Sequence, residues 1–464
     1  MLDFGRFRPY CLIRTNIHLL SLNIKLSKAK VLLFAIFEKA KGDFNLMIDD
    51  TSDHSRRSEI LHASFFACKA IWFYHTFSYF LVASYYFWRM TVAVNTRFLL
   101  SNKLEGIGWY TFEVIKRMVE AHPEDEFIFF FDRAYDERFI FADNIKPVVV
   151  YPQARHPILW YLWFEWGLPS AIRKAKPDVF LSTDSYCSLS ANVKTLMVTH
   201  DIAHIHFPEQ IPNLVRRYYD YFVPKFLKRA DLIATISQFC KADIEKHYQI
   251  PSEKIFVAHN GCRDNFSAIS EEEKQNIKNK YSDGQDYFFY VGAVHPRKNL
   301  VRLIQAFNLF KKQTDTTVKL LIGGRMAWQT GDIHTAYQSA DCREDITFLG
   351  YLPEEDLPKV LSASLALTYV SLFEGFGLPI LEAMYAETAV ICSNTSSMPE
   401  VAAEAAILVD PYQPQEVADA MQKIWRQPAL RQILIEKGKE QRQQFNWGFT
   451  AQRLYEGLKK LANA

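Results

Sequence analysis

The sequence predicts an α/β protein with two domains, each built around a doubly wound parallel sheet. Short apolar runs alternate along the chain with stretches that are compatible with helices, and this alternation is typical of parallel sheets. The chain of 464 residues is also too long for one hydrophobic core, so about two large domains are expected. A polar stretch from Asp264 to Asp286 predicts the linker between them.

Composition excludes some classes of protein without selecting a function. The formal net charge is +2 and 23% of the residues are charged, so no basic field favours nucleic acid and no nucleic-acid partner is expected. The 7 cysteines form no C-x-x-C pair and no zinc-like spacing with histidine. We therefore expect a reducing, cytoplasmic setting.

Residues 1–89 differ from the rest of the chain, because basic, aromatic and polar patches alternate there without a strand–helix rhythm. No secretory signal pattern is present. Ile71 to Trp88 are 18 residues without a formal charge, near the lower limit for a membrane span, but their tyrosines belong at a membrane interface. We predict that residues 1–89 are an upstream translation or a membrane-proximal extension. A span, a membrane-surface or interdomain segment, and a segment without a role all remain open for Ile71 to Trp88.

The N-terminal α/β domain is predicted over residues 90–268. After a first strand within Met90 to Leu99, a turn with Gly106 and Gly108 precedes a helix over 112–119. Such a turn can bind a phosphate or substrate through backbone N–H groups, although many serve only tight packing. The further predicted strands are Phe127–Phe131, Val148–Tyr151, Val179–Ser182, Leu196–Ile202, Leu232–Ser237 and Ile255–Gly261.

Two parts of this domain are candidates for function. His200, beside Asp201, ends a strand, and ligands of open α/β sheets bind at the carboxyl ends of strands. A histidine that is hydrogen-bonded within its own loop is the alternative. The aromatic run Trp160 to Trp166 and the basic, tyrosine-rich segment Leu214 to Arg229 suit either buried and solvated elements or a membrane-facing surface.

The second α/β domain is predicted over residues 269–440, and the tail over 441–464 carries apolar residues at helical spacing. After its first strand, the adjacent cations Arg297 and Lys298 can neutralise a diphosphate, although such pairs are also common on surfaces. The predicted strands are Tyr287–Val291, Val318–Ile322 before Gly323 and Gly324, Ile346–Gly350, Leu365–Val370 and Ala389–Cys392.

One stretch of this domain has the geometry of an anion site. Glu374 and Glu382 bracket a turn that contains two glycines and Pro379, between an apolar strand and a helix-forming run. The glycines let backbone N–H groups approach a ligand, and a helix N-terminus favours a phosphate. The turn residues concerned are Gly375, Phe376, Gly377 and Leu378.

Taken together, these motifs resemble the retaining glycosyltransferases of family 4. The stretch F-E-G-F-G-L-P-I-L-E-A-M is similar to the family's E-x(7)-E motif. The resemblance extends from Met90 to the end of the chain, because weaker motifs occur in the family's order. These are Gly106–Gly108, Thr199–Asp201, Thr235–Ser237, Asn260–Gly261, Pro296–Asn299 and Gly323–Gly324.

The resemblance implies the GT-B fold, in which two Rossmann-like domains face across a cleft and a C-terminal helix crosses back to the first domain. It implies that Glu374 contacts hydroxyls of the donor sugar and that Lys298 and Arg297 hold the diphosphate. His200 would lie near the sugar at the opposite lip. The residues assigned to donor binding are Gly106, Gly108, Gly324, Gly375, Phe376, Gly377, Leu378 and, at the ribose, Glu382.

Two departures from the family's pattern narrow the subfamily. Ala293 stands where many members have the first arginine of the phosphate clamp, and Arg297 is expected to replace that arginine. Glu105 stands in place of the first glycine of the other turn.

The implied activity is metal-independent transfer of a hexose with retention. The P-R-K-N and S-x-F-E-G-F-G-L-P patterns look most like mannosyltransferases that use GDP-mannose, with UDP-hexoses next. The acceptor would be a glycan or a lipid-linked glycan, and peripheral contact with the inner membrane is left open. The alternatives are a sugar-nucleotide epimerase or phosphorylase of the same fold, or a non-catalytic carbohydrate-binding protein.

Overall fold

The structure, a computed structural model, describes residues 89–101, 104, 106–325 and 331–464. The extension predicted over residues 1–89, with the segment Ile71 to Trp88, lies outside the described residues except for Arg89, and so does Glu105. Within the described ranges, no helix combines the length and apolar character that a membrane crossing requires. Arg89–Ala464 form one compact unit that contains two parallel sheets.

The first sheet has seven parallel strands in the order β3-β2-β1-β4-β5-β6-β7. All seven predicted strands of this domain are present, with their ends shifted by a few residues. The strands are β1 Thr91–Asn95, β2 Glu126–Phe131, β3 Ile145–Val149, β4 Val179–Ser182, β5 Lys194–Thr199, β6 Leu232–Thr235 and β7 Ile255–Val257. The helices are α1 Gly106–Ala121, α2 Pro157–Leu162, α3 Leu168–Ala175, α4 Ala203–His206, α5 Asn213–Arg229 and α6 Gln238–Tyr248, with a π-helical turn Trp163–Gly167 between α2 and α3.

The second sheet has six parallel strands in the order β10-β9-β8-β11-β12-β13. The strands are β8 Tyr287–Val291, β9 Lys319–Gly323, β10 Ile346–Gly350, β11 Ala366–Tyr369, β12 Ala389–Ser393 and β13 Ala406–Val409. The helices are α7 Glu271–Ser282, α8 Leu300–Gln313, α9 Gly331–Gln338, α10 Leu357–Ser362, α11 Leu378–Tyr385, α12 Met398–Ala402, α13 Pro414–Arg426, α14 Pro428–Gln441 and α15 Trp447–Ala462. Strand β13, which the sequence did not predict, is a short edge strand.

The linker prediction was wrong over its second half, because residues 271–282 form helix α7. The Ser270 hydroxyl accepts a hydrogen bond from the Glu273 backbone N–H at 3.2 Å, and the Glu273 carboxylate accepts one from the Ser270 N–H at 3.3 Å. This capping box satisfies two backbone donors at the helix start. Ile277 is the one apolar side chain of this helix that is buried, so the helix is polar enough to look like a linker in sequence.

Each sheet has a point where the direction of strand addition reverses. The chain runs from β1 outward to β2 and β3 and then returns to β4 on the other side of β1; β8 and β11 flank the same reversal in the second sheet. Ligands of open α/β sheets bind outside the carboxyl ends of strands at such a point. The loops after β8 and β11 carry Lys298 and Glu374, respectively.

The C-terminal helix α15 returns to the first domain and packs on α1 and on β4, β5 and β6. Leu454 and Leu458 are fully buried there. A Cβ atom on Gly457 would lie 2.7 Å from Leu196 Cδ1, so the glycine permits close packing on the sheet. The Tyr455 hydroxyl donates to Asp125 Oδ2 at 2.6 Å. The helix therefore crosses back between the domains, as the predicted fold class requires.

Candidate active site

A cleft of about 1070 Å³ lies between the carboxyl ends of the two sheets. The first domain contributes the residues that follow β1, β4 and β5, and the second domain contributes those that follow β8 and β11. Of the predicted site residues, the cleft is lined by His200, Arg297, Lys298, Glu374, Gly106, Gly375, Phe376, Gly377 and Leu378.

An ion pair between Lys298 and Glu374 occupies the second domain's side of the cleft. Lys298 Nζ lies 2.5 Å from Glu374 Oε1, and both side chains are almost fully buried. The Tyr369 hydroxyl donates to the same carboxylate oxygen at 2.7 Å and accepts from Lys298 Nζ at 3.0 Å. The loops after β8 and β11 are thus joined by three mutually bonded polar groups.

Burial and charge oppose each other in this pair. Burial alone would raise the pKa of Glu374, but the positive charges of Lys298 and Arg297 outweigh it and hold the pKa below its ordinary value. Burial lowers the pKa of Lys298, and Glu374 offsets this only in part. Glu374 is therefore an anion in the neutral pH range, which suits it to accept hydrogen bonds from sugar hydroxyls.

Arg297 connects the site to the first domain. Its Nη1 donates to the Phe373 carbonyl at 3.2 Å and lies 3.8 Å from Asp201 Oδ2, beside His200. Its own carbonyl accepts from the Leu372 N–H at 2.9 Å. The guanidinium is consequently held between the loop after β5 and the loop after β11.

The glycine turn approaches the backbone of His200 closely. A Cβ atom on Gly375 would lie 2.6 Å from the His200 carbonyl oxygen, so no larger residue fits without a backbone shift. The Ser237 hydroxyl donates to the Gly375 carbonyl at 2.7 Å. Gly377 has φ +96°, a left-handed conformation that favours glycine, and α11 begins at the next residue.

His200 lines the cleft and is also bonded within its own domain. Its Nε2 lies 2.7 Å from the Thr183 carbonyl and therefore acts as the donor of that hydrogen bond. Burial lowers the pKa of His200, and its ring packs nearly perpendicular to the Tyr110 ring, with 4.7 Å between the ring centroids. His200 therefore lines the cleft as a neutral imidazole with Nε2 protonated, and its hydrogen bond reaches the loop after β4 rather than its own loop.

Glu382 is not one of the residues that line the cleft, although 11% of its side chain is exposed. It is buried on α11, one helical turn beyond Leu378, and its Oε1 accepts from Arg263 Nη2 at 3.1 Å. Burial raises the pKa of Glu382, and Arg263 offsets part of that effect. Arg263 also lies 3.5 Å from Glu354. The predicted ribose-binding carboxylate is thus paired with an arginine of the interdomain segment, a residue that sequence reasoning missed.

Comparison with known proteins identifies the family. Residues 104–266 match the description "Glycosyltransferase Family 4", and residues 271–441 match "Glycosyl transferases group 1". The two matches are consecutive; the first spans β2 to β7 of the first sheet, and the second spans all six strands of the second sheet.

The chain is a glycosyltransferase of family 4.

Individual relatives agree with this assignment. The chain is 29% identical over 356 residues to O-antigen chain mannosyltransferase B of Escherichia coli, covering 74% of this chain and 93% of that protein. It is 28% identical to the serotype-specific mannosyltransferase WbdA of Escherichia coli, covering 58% of this chain but about a third, 34%, of that protein. The solved sucrose-phosphate synthase of Thermosynechococcus elongatus has a TM-score of 0.66 at 18% identity, covering 80% of this chain and 99% of that one. The fold of the glycosyltransferase is GT-B.

Two of the predicted donor-binding glycines lie outside the cleft lining of the glycosyltransferase. A Cβ atom on Gly108 would lie 2.7 Å from the Phe98 carbonyl oxygen, so this glycine lets α1 pack against the segment after β1. Gly324 has φ +140°, and a Cβ atom there would lie 1.8 Å from the Gly292 carbonyl oxygen. Both glycines permit close backbone packing, whereas Gly106 lines the cleft.

Glu400 of the glycosyltransferase, which the sequence did not single out, joins the two domains. On α12 of the second domain, it accepts from the N–H groups of Gln238 and Phe239 at 2.8 and 3.1 Å, at the start of α6, and from His259 Nε2 at 2.7 Å. Burial would raise the pKa of Glu400, but these three donors outweigh it, so its pKa lies below the ordinary value. Its position in the sequence, within P-E-V, carries no sign of this role.

We predict that Glu400→Gln loosens the contact between the domains. An amide group can accept through only one of its two atoms, so at least one of the bonds to α6 is lost together with the charge. A bond to a charged group contributes about 1.5–3 kcal/mol, so exchange of the Gln238 and Phe239 amide hydrogens should accelerate by about tenfold or more. Hydrogen–deuterium exchange measures this.

Glu404→Gln is the matched control, because Glu404 is exposed and pairs only with Lys437 among the described contacts. Its amide exchange at the start of α6 should equal that of the unaltered chain. Unchanged exchange in Glu400→Gln would contradict the assigned contact.

Proposed function

We propose that this glycosyltransferase moves a mannosyl residue from GDP-mannose to a glycan, with retention and without a metal ion, in the synthesis of a polysaccharide or glycoconjugate. The observation that carries the proposal is the Lys298–Glu374 pair at the switch point of the second sheet. A sugar diphosphate carries both phosphate oxygens and sugar hydroxyls, and this pair offers a cation for the first and a carboxylate for the second. The mannosyltransferases among the relatives support mannose as the sugar.

Departure of the diphosphate builds negative charge, and the second domain supplies compensating groups at that place. These are Arg297, Lys298 and the backbone N–H groups at the start of α11. Each preorganised donor of this kind lowers a barrier by about 2.7–4 kcal/mol. In our proposal protein cations therefore do the work of a metal. Glu374 orients the sugar, and the acceptor hydroxyl attacks the face from which the diphosphate leaves.

The first domain's half of the cleft suits a glycan acceptor. Trp160, Tyr186 and Tyr219 line it together, with the rings of Trp160 and Tyr219 stacked 6.4 Å apart and the two tyrosine hydroxyls 3.2 Å apart. Arg133 and Arg155 line the same half. Aromatic faces and hydrogen-bonding hydroxyls recognise sugar rings, and the arginines can contact an anionic group on the acceptor.

An exposed aromatic surface on the same domain supports a lipid-linked acceptor in the cytoplasm at the inner membrane. Trp166 is 68% exposed and Tyr221 is 59% exposed, and Lys225 Nζ lies 3.4 Å from the centre of the Tyr221 ring. Tyr161 of α2 is partly exposed and packs on Phe222 of α5. This contact connects the aromatic run to the tyrosine-rich helix. Apolar rings beside basic residues are the composition of a surface that lies on acidic lipid.

We predict that Trp166→Ser combined with Tyr221→Ser reduces flotation of the full chain with acidic liposomes. Removing two exposed rings removes apolar area that would enter the headgroup region. Tyr412→Ser, at a tyrosine that is 52% exposed in the second domain, is the control and should leave flotation unchanged. Equal flotation of the double variant and the control would show that this surface does not bind lipid.

The donor assignment is tested by thermal shift with GDP-mannose, GDP, UDP-glucose and UDP-galactose. A ligand at about 100 times its dissociation constant adds about 2.7 kcal/mol of stability, so the true donor should give the largest rise in Tm. We predict that GDP-mannose gives this largest rise.

We also predict that Glu382→Gln weakens the binding of GDP-mannose by about tenfold or more, because a hydrogen bond between the ribose and a charged group is lost.

Glu354→Gln is the matched control, since both carboxylates contact Arg263 but Glu354 is exposed outside α11. Its affinity for GDP-mannose should be unchanged. A larger rise in Tm with a UDP-hexose than with GDP-mannose would show that the donor is a UDP-sugar. Equal affinity of Glu382→Gln and the unaltered chain for GDP-mannose would show that Glu382 does not bind the ribose.

A further inference from the structure

Three potential metal ligands meet outside the cleft, on the surface of the first domain. His206 is the last residue of α4, and Asp243 and His247 lie one turn apart on α6. Each residue offers one ligand atom, and these atoms lie within 4.8 Å of one another. None of the three residues lines the cleft described above.

The geometry of this trio is close to that of a coordination site. His206 Nε2 lies 2.8 Å from Asp243 Oδ2, and His247 Nδ1 lies 3.1 Å from Asp243 Oδ1. The imidazole centroids are 5.1 Å apart and the rings nearly perpendicular. Ligand atoms about 2.0–2.1 Å from a tetrahedral zinc ion are about 3.3 Å from one another, so only small side-chain rotations separate this arrangement from a bound one.

Burial and chemistry also suit a metal. The Asp243 side chain is 7% exposed, which fixes the carboxylate, whereas the two imidazoles are 29% and 27% exposed and leave one side open to solvent. Two imidazoles and one carboxylate form a donor set for borderline divalent transition metals, and water can supply the fourth ligand. The competing interpretation is a purely hydrogen-bonded trio, in which the Asp243 carboxylate accepts from His206 and the Asp243 backbone carbonyl accepts from His247 Nδ1 at 2.9 Å.

We propose that His206, Asp243 and His247 bind a divalent transition-metal ion of the Zn²⁺ type with an open fourth position. The site is separate from the transfer chemistry and rests on these residues alone, so it does not depend on the proposed donor.

A bound ion would connect α4 and α6, two helices that both contact Phe373, the residue immediately before Glu374. The His206 ring lies 4.8 Å from the ring of Phe373, and Phe239, at the start of α6, lies 5.5 Å from it. Phe373 immediately precedes Glu374 and its carbonyl accepts from Arg297. A metal that joins α4 to α6 would therefore stiffen the pocket of the first domain that holds Phe373 of the second.

The test uses the full chain after metal removal by a chelator, titrated with Zn²⁺ in a calorimeter. We expect one ion per chain, and we expect His247→Ala and His206→Gln each to weaken binding by at least about tenfold, since even loss of an outer-shell partner costs that much. Both histidines are partly exposed, and circular dichroism with a thermal scan verifies that the variants are folded. His122→Ala, from the second group of potential ligands with Glu124 and Asp125, is the control and should bind like the unaltered chain.

Replacement of Zn²⁺ by Co²⁺ gives a second readout that a hydrogen-bonded trio would not produce. The unaltered chain and His122→Ala should show visible absorption of a four- or five-coordinate Co²⁺ ion, and the His247→Ala spectrum should lack it. No binding by the unaltered chain, or equal binding in His247→Ala and His206→Gln, would overturn the proposal. Loss of binding only in His122→Ala would show that the ion binds at His122, Glu124 and Asp125, and this result would overturn the proposal as well.

Discussion

The buried ion pair between Lys298 and Glu374 is the contact on which the second domain's side of the cleft depends. Either charge alone would be costly at this depth, and breaking such a pair by removing one partner costs about 3–5 kcal/mol. The pair forms because parallel strands β8 and β11 are neighbours at the switch point and bring their following loops together. Three further hydrogen bonds fix Glu374. Its carboxylate accepts from the Tyr369 hydroxyl, its N–H donates to the Ser396 hydroxyl, and its carbonyl accepts from the Ser397 hydroxyl.

The loop after β11, which carries Glu374 and Gly375, also contacts the first domain. Gly375 has no side chain where the His200 carbonyl approaches, and the Ser237 hydroxyl and Cys240 thiol both donate to the Gly375 carbonyl. Glu400 then accepts from the first amides of α6. The glycine turn after β11 is consequently both part of the second domain's side of the cleft and a surface that the first domain contacts. A few residues therefore belong both to the cleft and to the contact between the domains.

The sequence predicted the fold well, because the alternation of apolar strands and helices is local and strong. Through the resemblance to the family it also assigned Lys298 and Glu374 to one site, but it did not predict that the two side chains form an ion pair. It could not find Arg263, Glu400 or the packing of Phe373, since these contacts arise only when two distant segments meet. Gly108 and Gly324 show a further limit: a glycine that permits backbone packing looks the same in sequence as one that approaches a ligand. Helix α7 was missed for its polarity, although Ser270 and Glu273 have capping-box spacing.

The most direct measurement is a double-mutant cycle on Lys298 and Glu374, with slow release of GDP from GDP-mannose as the readout. The cycle compares Lys298→Met, Glu374→Gln and the double variant, all verified as folded. If the two side chains act as one buried unit, the effects are not additive, and the coupling free energy is about 0.5–3 kcal/mol. Additive losses, with a coupling near zero, would contradict the view that this ion pair organises the site.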